Sequence, residues 1–160
     1  MFNTQNSKRI LFRSVIAFVL SLWIIGIISP CLNINLLYSI YPFQKMLYSN
    51  VCHQDINKTF TCNDTPFLVC ARCTGIYFGA FISSIIILFG NFRLSFRTKY
   101  LYLFSIPILL DVIFYSSGIY HYNKYFASLT GLLFGCSIFL YILSAIEYFL
   151  FIKQKNINEL

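Results

Sequence analysis

Four apolar stretches, each about as long as a membrane is thick, constrain this chain more than any other feature. A hydrocarbon core of about 30 Å is crossed by on the order of twenty helical residues. Runs near that length cover residues 11–29, 67–89, 100–116 and 126–152. The first stops at Pro30, the second at Gly90-Asn91, and the fourth at Lys153-Gln154-Lys155, while the third carries Pro107 inside it. Backbone groups inside lipid must find partners within their own segment, so these runs are read as helices. They predict an all-α integral membrane protein, a four-helix transmembrane bundle forming a single domain over residues 1–160. Composition agrees: 58% of residues are apolar and 11% charged, against roughly a quarter charged in soluble proteins. The first run is too long for the apolar core of a signal peptide and is expected to be retained.

The first two runs are joined by a long loop, residues 30–66. Its part from 32 to 48 is aromatic and moderately apolar but interrupted by Asn33, Asn35, Pro42 and Lys45. That pattern suits an extra interfacial helix better than a fifth span. The part from 49 to 66 is polar and holds Cys52, His53, Asp55, Lys58, Cys62 and Asp64, as a water-facing loop would.

A net charge of +7 raises the question of nucleic acid, but the basic residues are scattered between apolar blocks and form no stripe. The lipid bilayer is the expected partner, and no nucleic acid is expected. The basic residues instead carry topology. Lys8, Arg9, Arg13, Arg93, Arg97, Lys99, Lys153 and Lys155 fall on one face, eight in all, and Lys45, Lys58, Arg72 and Lys124, four, on the other. Basic loops stay inside, so both termini are expected in the cytoplasm and the chain in a cell inner (plasma) membrane as a multi-pass protein. The cysteine loop then lies at the outer face, where disulfides persist.

Of six cysteines, Cys31 and Cys136 stand in or beside apolar runs and read as small hydrophobes. The other four gather in Val51-Cys52-His53-Gln54, Cys62 and Val69-Cys70-Ala71-Arg72-Cys73-Thr74-Gly75. A Cys-x-x-Cys at a helix start closes a small disulfide or clamps a soft metal. With Cys52 and His53 added, Cys70 and Cys73 make three sulfurs and an imidazole, the number of ligands a tetrahedral zinc ion takes. The competing reading is redox. A second pair, Cys52 and Cys62, would pass electrons to the helix pair, as in quinone-coupled disulfide-forming enzymes. The plain alternative is a Cys52–Cys62 disulfide that only staples the loop. His121, in the other outer loop, reads as solvated.

An acid within an apolar run is costly unless it faces the bundle and finds a partner. Asp111 is such an acid, and helix directions place it at a depth similar to Arg72, so an Arg72–Asp111 ion pair is expected beneath the cysteines. Thr74-Gly75 with Gly79 and Thr130-Gly131 with Gly135 repeat one small-xxx-small spacing at the starts of the second and fourth spans. Such spacings let helices approach closely in lipid, and those two helices are expected to cross there.

At these residues the chain resembles a prokaryotic integral membrane family, domain of unknown function 2085. The resemblance rests on Cys52-His53-Gln54, Cys70, Arg72-Cys73-Thr74-Gly75-Ile76-Tyr77, Gly79, Asp111, Thr130-Gly131 and Gly135. Where the family often has an Arg before the last Thr-Gly, this chain has Ala127 and Ser128, and Cys62 is no fixture of its pattern. The resemblance implies a membrane fold and a site built on Cys52, His53, Cys70 and Cys73, and no particular reaction. The functional expectation is a membrane protein binding a soft metal such as zinc; the alternatives are a thiol-disulfide oxidoreductase using a quinone and a small-solute transporter.

Overall fold

The computed structural model describes residues 4–32, 35–62, 65–90 and 97–153, with side chains from residue 7 in the first of these, from 39 in the second and up to 150 in the last. Asn33, Asp64, Asn91, Arg93, Gln154 and Lys155, and the side chain of Lys153, used above to mark breaks and charge, lie outside that description. Among the described residues five α-helices run in order: α1 (Thr4–Ile28), α2 (Asn35–Ser49), α3 (Ala71–Phe89), α4 (Thr98–Ser116) and α5 (Lys124–Glu147). A single 3-10 turn, Ser29–Leu32, continues α1, and wider π-type turns at Tyr148–Lys153 continue α5. Four of these helices are long and apolar enough to cross a membrane: α1, α3, α4 and α5, each with its extensions. The protein is an all-α, multi-pass membrane protein.

The packing order across the bundle is α1, α3, α5, α4, and α3 against α5 is the most extensive contact. The cause is in the glycines. A Cβ added at Gly75 would strike the backbone carbonyl of Ser128, and one at Gly79 that of Leu132. One at Gly131 would strike the carbonyl of Arg72, and one at Gly135 that of Ile76. The two glycine pairs thus face each other's backbone, a spacing no side chain would permit. Without a hydrophobic driving force inside lipid, this backbone-to-backbone fit supplies the attraction.

All four starts differ from the apolar runs, and two of the shifts have a visible cause. α3 begins at Ala71, not at residue 67, because the Phe67 and Leu68 amides are used elsewhere. Phe67 N–H donates to Phe60 O at 2.9 Å and Leu68 N–H to Ile27 O at 3.5 Å. Cys70 is the N-cap, in extended backbone. α5 begins at Lys124 because the Asn123 side chain accepts from the Tyr125 and Phe126 amides at 3.0 and 3.3 Å, the usual way an N-cap satisfies orphan donors.

α2 is too short to span and exposes Ile40, Phe43, Met46 and Leu47, a surface suited to the headgroup boundary. Its inner anchor is Tyr48, whose hydroxyl donates to Trp23 O at 2.7 Å in room left by Gly26. After it, a two-residue antiparallel hairpin, β1 (Thr61–Cys62) and β2 (Thr65–Pro66), sets Thr61 opposite Pro66 and Cys62 opposite Thr65.

Candidate metal centre

Cys52 comes directly after α2, and Cys70 and Cys73 open α3, so the chain between them must fold back to bring the three together. It does: their sulfurs lie within 4.8 Å of one another. Zn–S bonds of about 2.3 Å place tetrahedral sulfurs about 3.8 Å apart, so a shift of about an ångström per pair would close the cluster on an ion. Cys52 is buried and its two partners are half-buried. Above and beside them, Ile27, Tyr48, Leu68 and Val69 form a buried apolar cluster, with Trp23 and Tyr77 packed against it. The Trp23 ring packs tilted against Tyr48 and Tyr77, with ring centroids 4.7 and 5.8 Å apart. Water is kept from one side of the sulfurs.

The donors around Cys52 make it an anion. Thiols of Cys70 and Cys73 donate to its sulfur, and so do the backbone amides of Cys70 and Gln54, which outweighs burial and pushes its pKa down to about 2. The Cys70 N–H reaches Cys52 Sγ at 3.1 Å. The thiol contact, seen from the other partner, holds the Cys70 thiol above its ordinary value. Cys52 is therefore the member of the cluster most readily held as a thiolate.

Gln54 delivers its amide through a left-handed backbone, with φ 51°. A non-glycine residue there carries strain on the order of 1–3 kcal/mol, tolerated where the surroundings fix it. Here the Gln54 side chain donates to Lys45 O at 2.9 Å and ties the turn to α2. The Cys-His-Gln motif is therefore a sulfur-binding turn in which the first residue accepts from the third. His53, the middle residue, is exposed and is not among the converging ligand atoms. His121 is exposed as well.

Arg72 lies between the two helix cysteines in sequence but its side chain leaves in another direction. Its Nε donates to Asp111 Oδ2 at 3.1 Å, and Nη2 makes a second bond to the same oxygen. The Tyr120 hydroxyl donates to Asp111 Oδ1. Asp111 is thereby satisfied at both oxygens, and it is the one buried residue of α4. The Tyr122 ring sits 5.8 Å from the Arg72 guanidinium carbon, within cation–π range. Burial pushes the hydroxyls of Tyr120 and Tyr122 up to about 12, so Tyr120 remains a donor.

Cys62 is brought to a different partner from the one the sequence suggested. It is not among the sulfurs around Cys52; the hairpin turns it toward the end of α1, where its thiol and that of Cys31 share a side-chain hydrogen bond. Cys31, read from sequence as a small hydrophobe, has a sulfur neighbour because the 3-10 turn Ser29–Leu32 carries it out of the helix line.

A second buried ion pair, at the opposite end of the bundle, is not anticipated by the sequence reading. Arg13 donates from Nε to Glu147 Oε1 at 2.6 Å and from Nη2 to Oε2 at 2.9 Å. Its Nη1 bridges Ile87 O and Gly90 O at 3.2 and 3.3 Å. A signal exists, since Arg13 and Glu147 both interrupt apolar runs near one face. A basic residue at that place, however, reads equally as a topology charge.

Comparison with known proteins finds archaeal relatives and a family. A 63-residue segment is 36% identical to an uncharacterised protein of Methanothermobacter thermautotrophicus, covering 39% of this chain and 42% of that relative. A 113-residue segment is 29% identical to an uncharacterised protein of Methanocaldococcus jannaschii, covering 68% of this chain and 72% of the relative. The chain thus spans less than half the length of the first and nearly three quarters of the second. No solved structure matches. The family model of domain of unknown function 2085, described as a predicted membrane protein, matches residues 52–141, from the first site cysteine to beyond the second glycine pair. With more than half its length so matched, the chain belongs to that family of membrane proteins.

Proposed function

We propose that the protein binds a soft metal ion such as zinc through Cys52, Cys70 and Cys73 at the outer face of a cell inner (plasma) membrane. The observation that carries this reading is the convergence of three sulfurs within 4.8 Å. Thiolate sets select zinc and other soft ions over calcium or magnesium. Three protein ligands leave a fourth position for water or an incoming ligand, the arrangement of zinc sites that exchange or react. His53, exposed and next to Cys52, is the side chain available to close that position. The Arg72–Asp111 pair supports the cluster by fixing the first turn of α3. The outer-face placement, with both termini cytoplasmic, rests on the eight-to-four division of basic residues.

Elemental analysis of protein purified without chelator, together with thiol counting before and after reduction, tests the proposal. About one equivalent of metal per chain, with Cys52, Cys70 and Cys73 free after metal removal, supports it. Absence of metal together with a disulfide joining Cys52 to Cys70 or Cys73 refutes it. That second outcome favours thiol-disulfide exchange coupled to a quinone, a reading that draws on the same Cys52 thiolate as nucleophile.

A further inference from the structure

The two cysteines outside the cluster and outside the bundle core meet at the foot of the hairpin. Thr65 is the link. Its Oγ1 lies 2.7 Å from Cys62 O and 3.3 Å from Pro30 O, its one proton shared between them, and its backbone is the register partner of Cys62. The residue after Pro30 is Cys31, so one threonine side chain holds the backbone of both cysteine neighbourhoods at once. The Cys31 side chain in turn hydrogen-bonds to the Cys62 thiol and to Thr65. Both cysteines are half-buried and free.

We propose that Cys31 and Cys62 form a disulfide in the mature protein, separate from the metal cluster. This rests on the outer-face placement of the loop, where oxidation persists, and not on metal binding. The reaction is exchange with a disulfide donor, either an oxidised dithiol enzyme or a small-molecule disulfide. One of the two thiolates attacks the donor, releasing one thiol and leaving a mixed disulfide. The other thiolate attacks that protein sulfur and releases the second thiol. Two cysteine thiols become one S–S bond, and the donor disulfide becomes two thiols. The bond would close a loop that contains α2 and Cys52 and would tie the hairpin to the end of α1. The strand leading from that hairpin to Val69 and Cys70 then starts from a fixed point, which holds one wall of the cluster in place.

The test is maleimide alkylation of the full-length protein in denaturant after metal removal, with and without prior reduction, together with tryptic mass mapping. The expected result is that two of the six thiols react only after reduction. A non-reduced cross-link should join the peptide containing Cys31 to the peptide running from Thr59 to Arg72. That second peptide holds both Cys62 and Cys70, so variants decide between them: Cys62→Ser must abolish the cross-link and Cys70→Ser must leave it. Six reactive thiols without reductant, or a cross-link that survives Cys62→Ser, overturns the proposal. Metal content of Cys31→Ser/Cys62→Ser separates the two hypotheses, since loss of the disulfide leaves Cys52, Cys70 and Cys73 in place.

Discussion

Cys52 is the residue on which the cluster turns, because the donors around its sulfur favour the thiolate. Binding a metal replaces the Cys70 and Cys73 protons, so uptake should release roughly two protons per ion near neutral pH, and affinity should fall as the solution is acidified. Calorimetry in buffers of different ionisation enthalpy measures the number. Cys52→Ser should abolish stoichiometric metal, whereas His53→Ala should retain it with weaker affinity, as equilibrium dialysis would show. Gln54 offers a subtler probe. A β-branched residue is strongly disfavoured at positive φ, so Gln54→Val should weaken metal binding although it removes no ligand. The sulfur set was readable in the sequence because Cys-x-x-Cys fixes two ligands on one helical turn and Cys52 stands nearby. The exposure of His53 was not, because adjacent residues in a turn point to different sides and spacing alone does not say which. Nor was the Cys31–Cys62 contact, which depends on a two-residue hairpin with no hydrophobic periodicity to announce it.

Among the elements, α3 and α5 are joined by backbone contact and α4 by a charge. Gly135→Leu must push α5 away from Ile76, at about 1–3 kcal/mol by the general cost of overpacking. A lipid-facing change such as Ile86→Leu should cost almost nothing; unfolding from mixed micelles with increasing denaturing detergent ranks the two. The repeated Thr-Gly spacing made this crossing visible in advance, since small residues at that period have few other uses in lipid. The Asp111 contact is different in kind. Removing the acid leaves Arg72 without its partner at the edge of the bundle, and Asp111→Ala should cost about 1–3 kcal/mol, the penalty of an unmatched polar group, below that of a fully buried pair. Replacing both, as Arg72→Leu/Asp111→Leu, should recover much of the loss. Helix boundaries were less legible than helix existence: residues 67–70 are as apolar as the first turns of α3, yet the Phe67 and Leu68 amides are taken by Phe60 and Ile27.

For the whole molecule, two ion pairs clamp opposite ends of the bundle, the part-buried Arg72–Asp111 beside the cysteines and the buried Arg13–Glu147 at the other end. The four spans were legible from hydropathy alone, because lipid imposes one length on each helix. The second clamp was not, since an arginine near a helix end serves equally as a topology signal. Sidedness is open to direct measurement. A cysteine introduced at exposed Asn57 should be labelled by a membrane-impermeant maleimide in intact cells, and one at exposed Lys8 only after lysis; the reverse pattern would invert the assignment.

The isolation of Asp111 on α4 also bears on how the protein is built. A newly made segment partitions into lipid according to its own sequence, and an acid within an apolar span opposes entry, at most by the roughly 2.5–3.5 kcal/mol of a charge at the helix centre. Arg72 precedes Asp111 by 39 residues in the chain, so the guanidinium has already left the ribosome when α4 emerges. Entry of α4 should then depend in part on Arg72. A chain lacking Arg72 would hesitate at this step, leaving α4 behind on the side where it was synthesised.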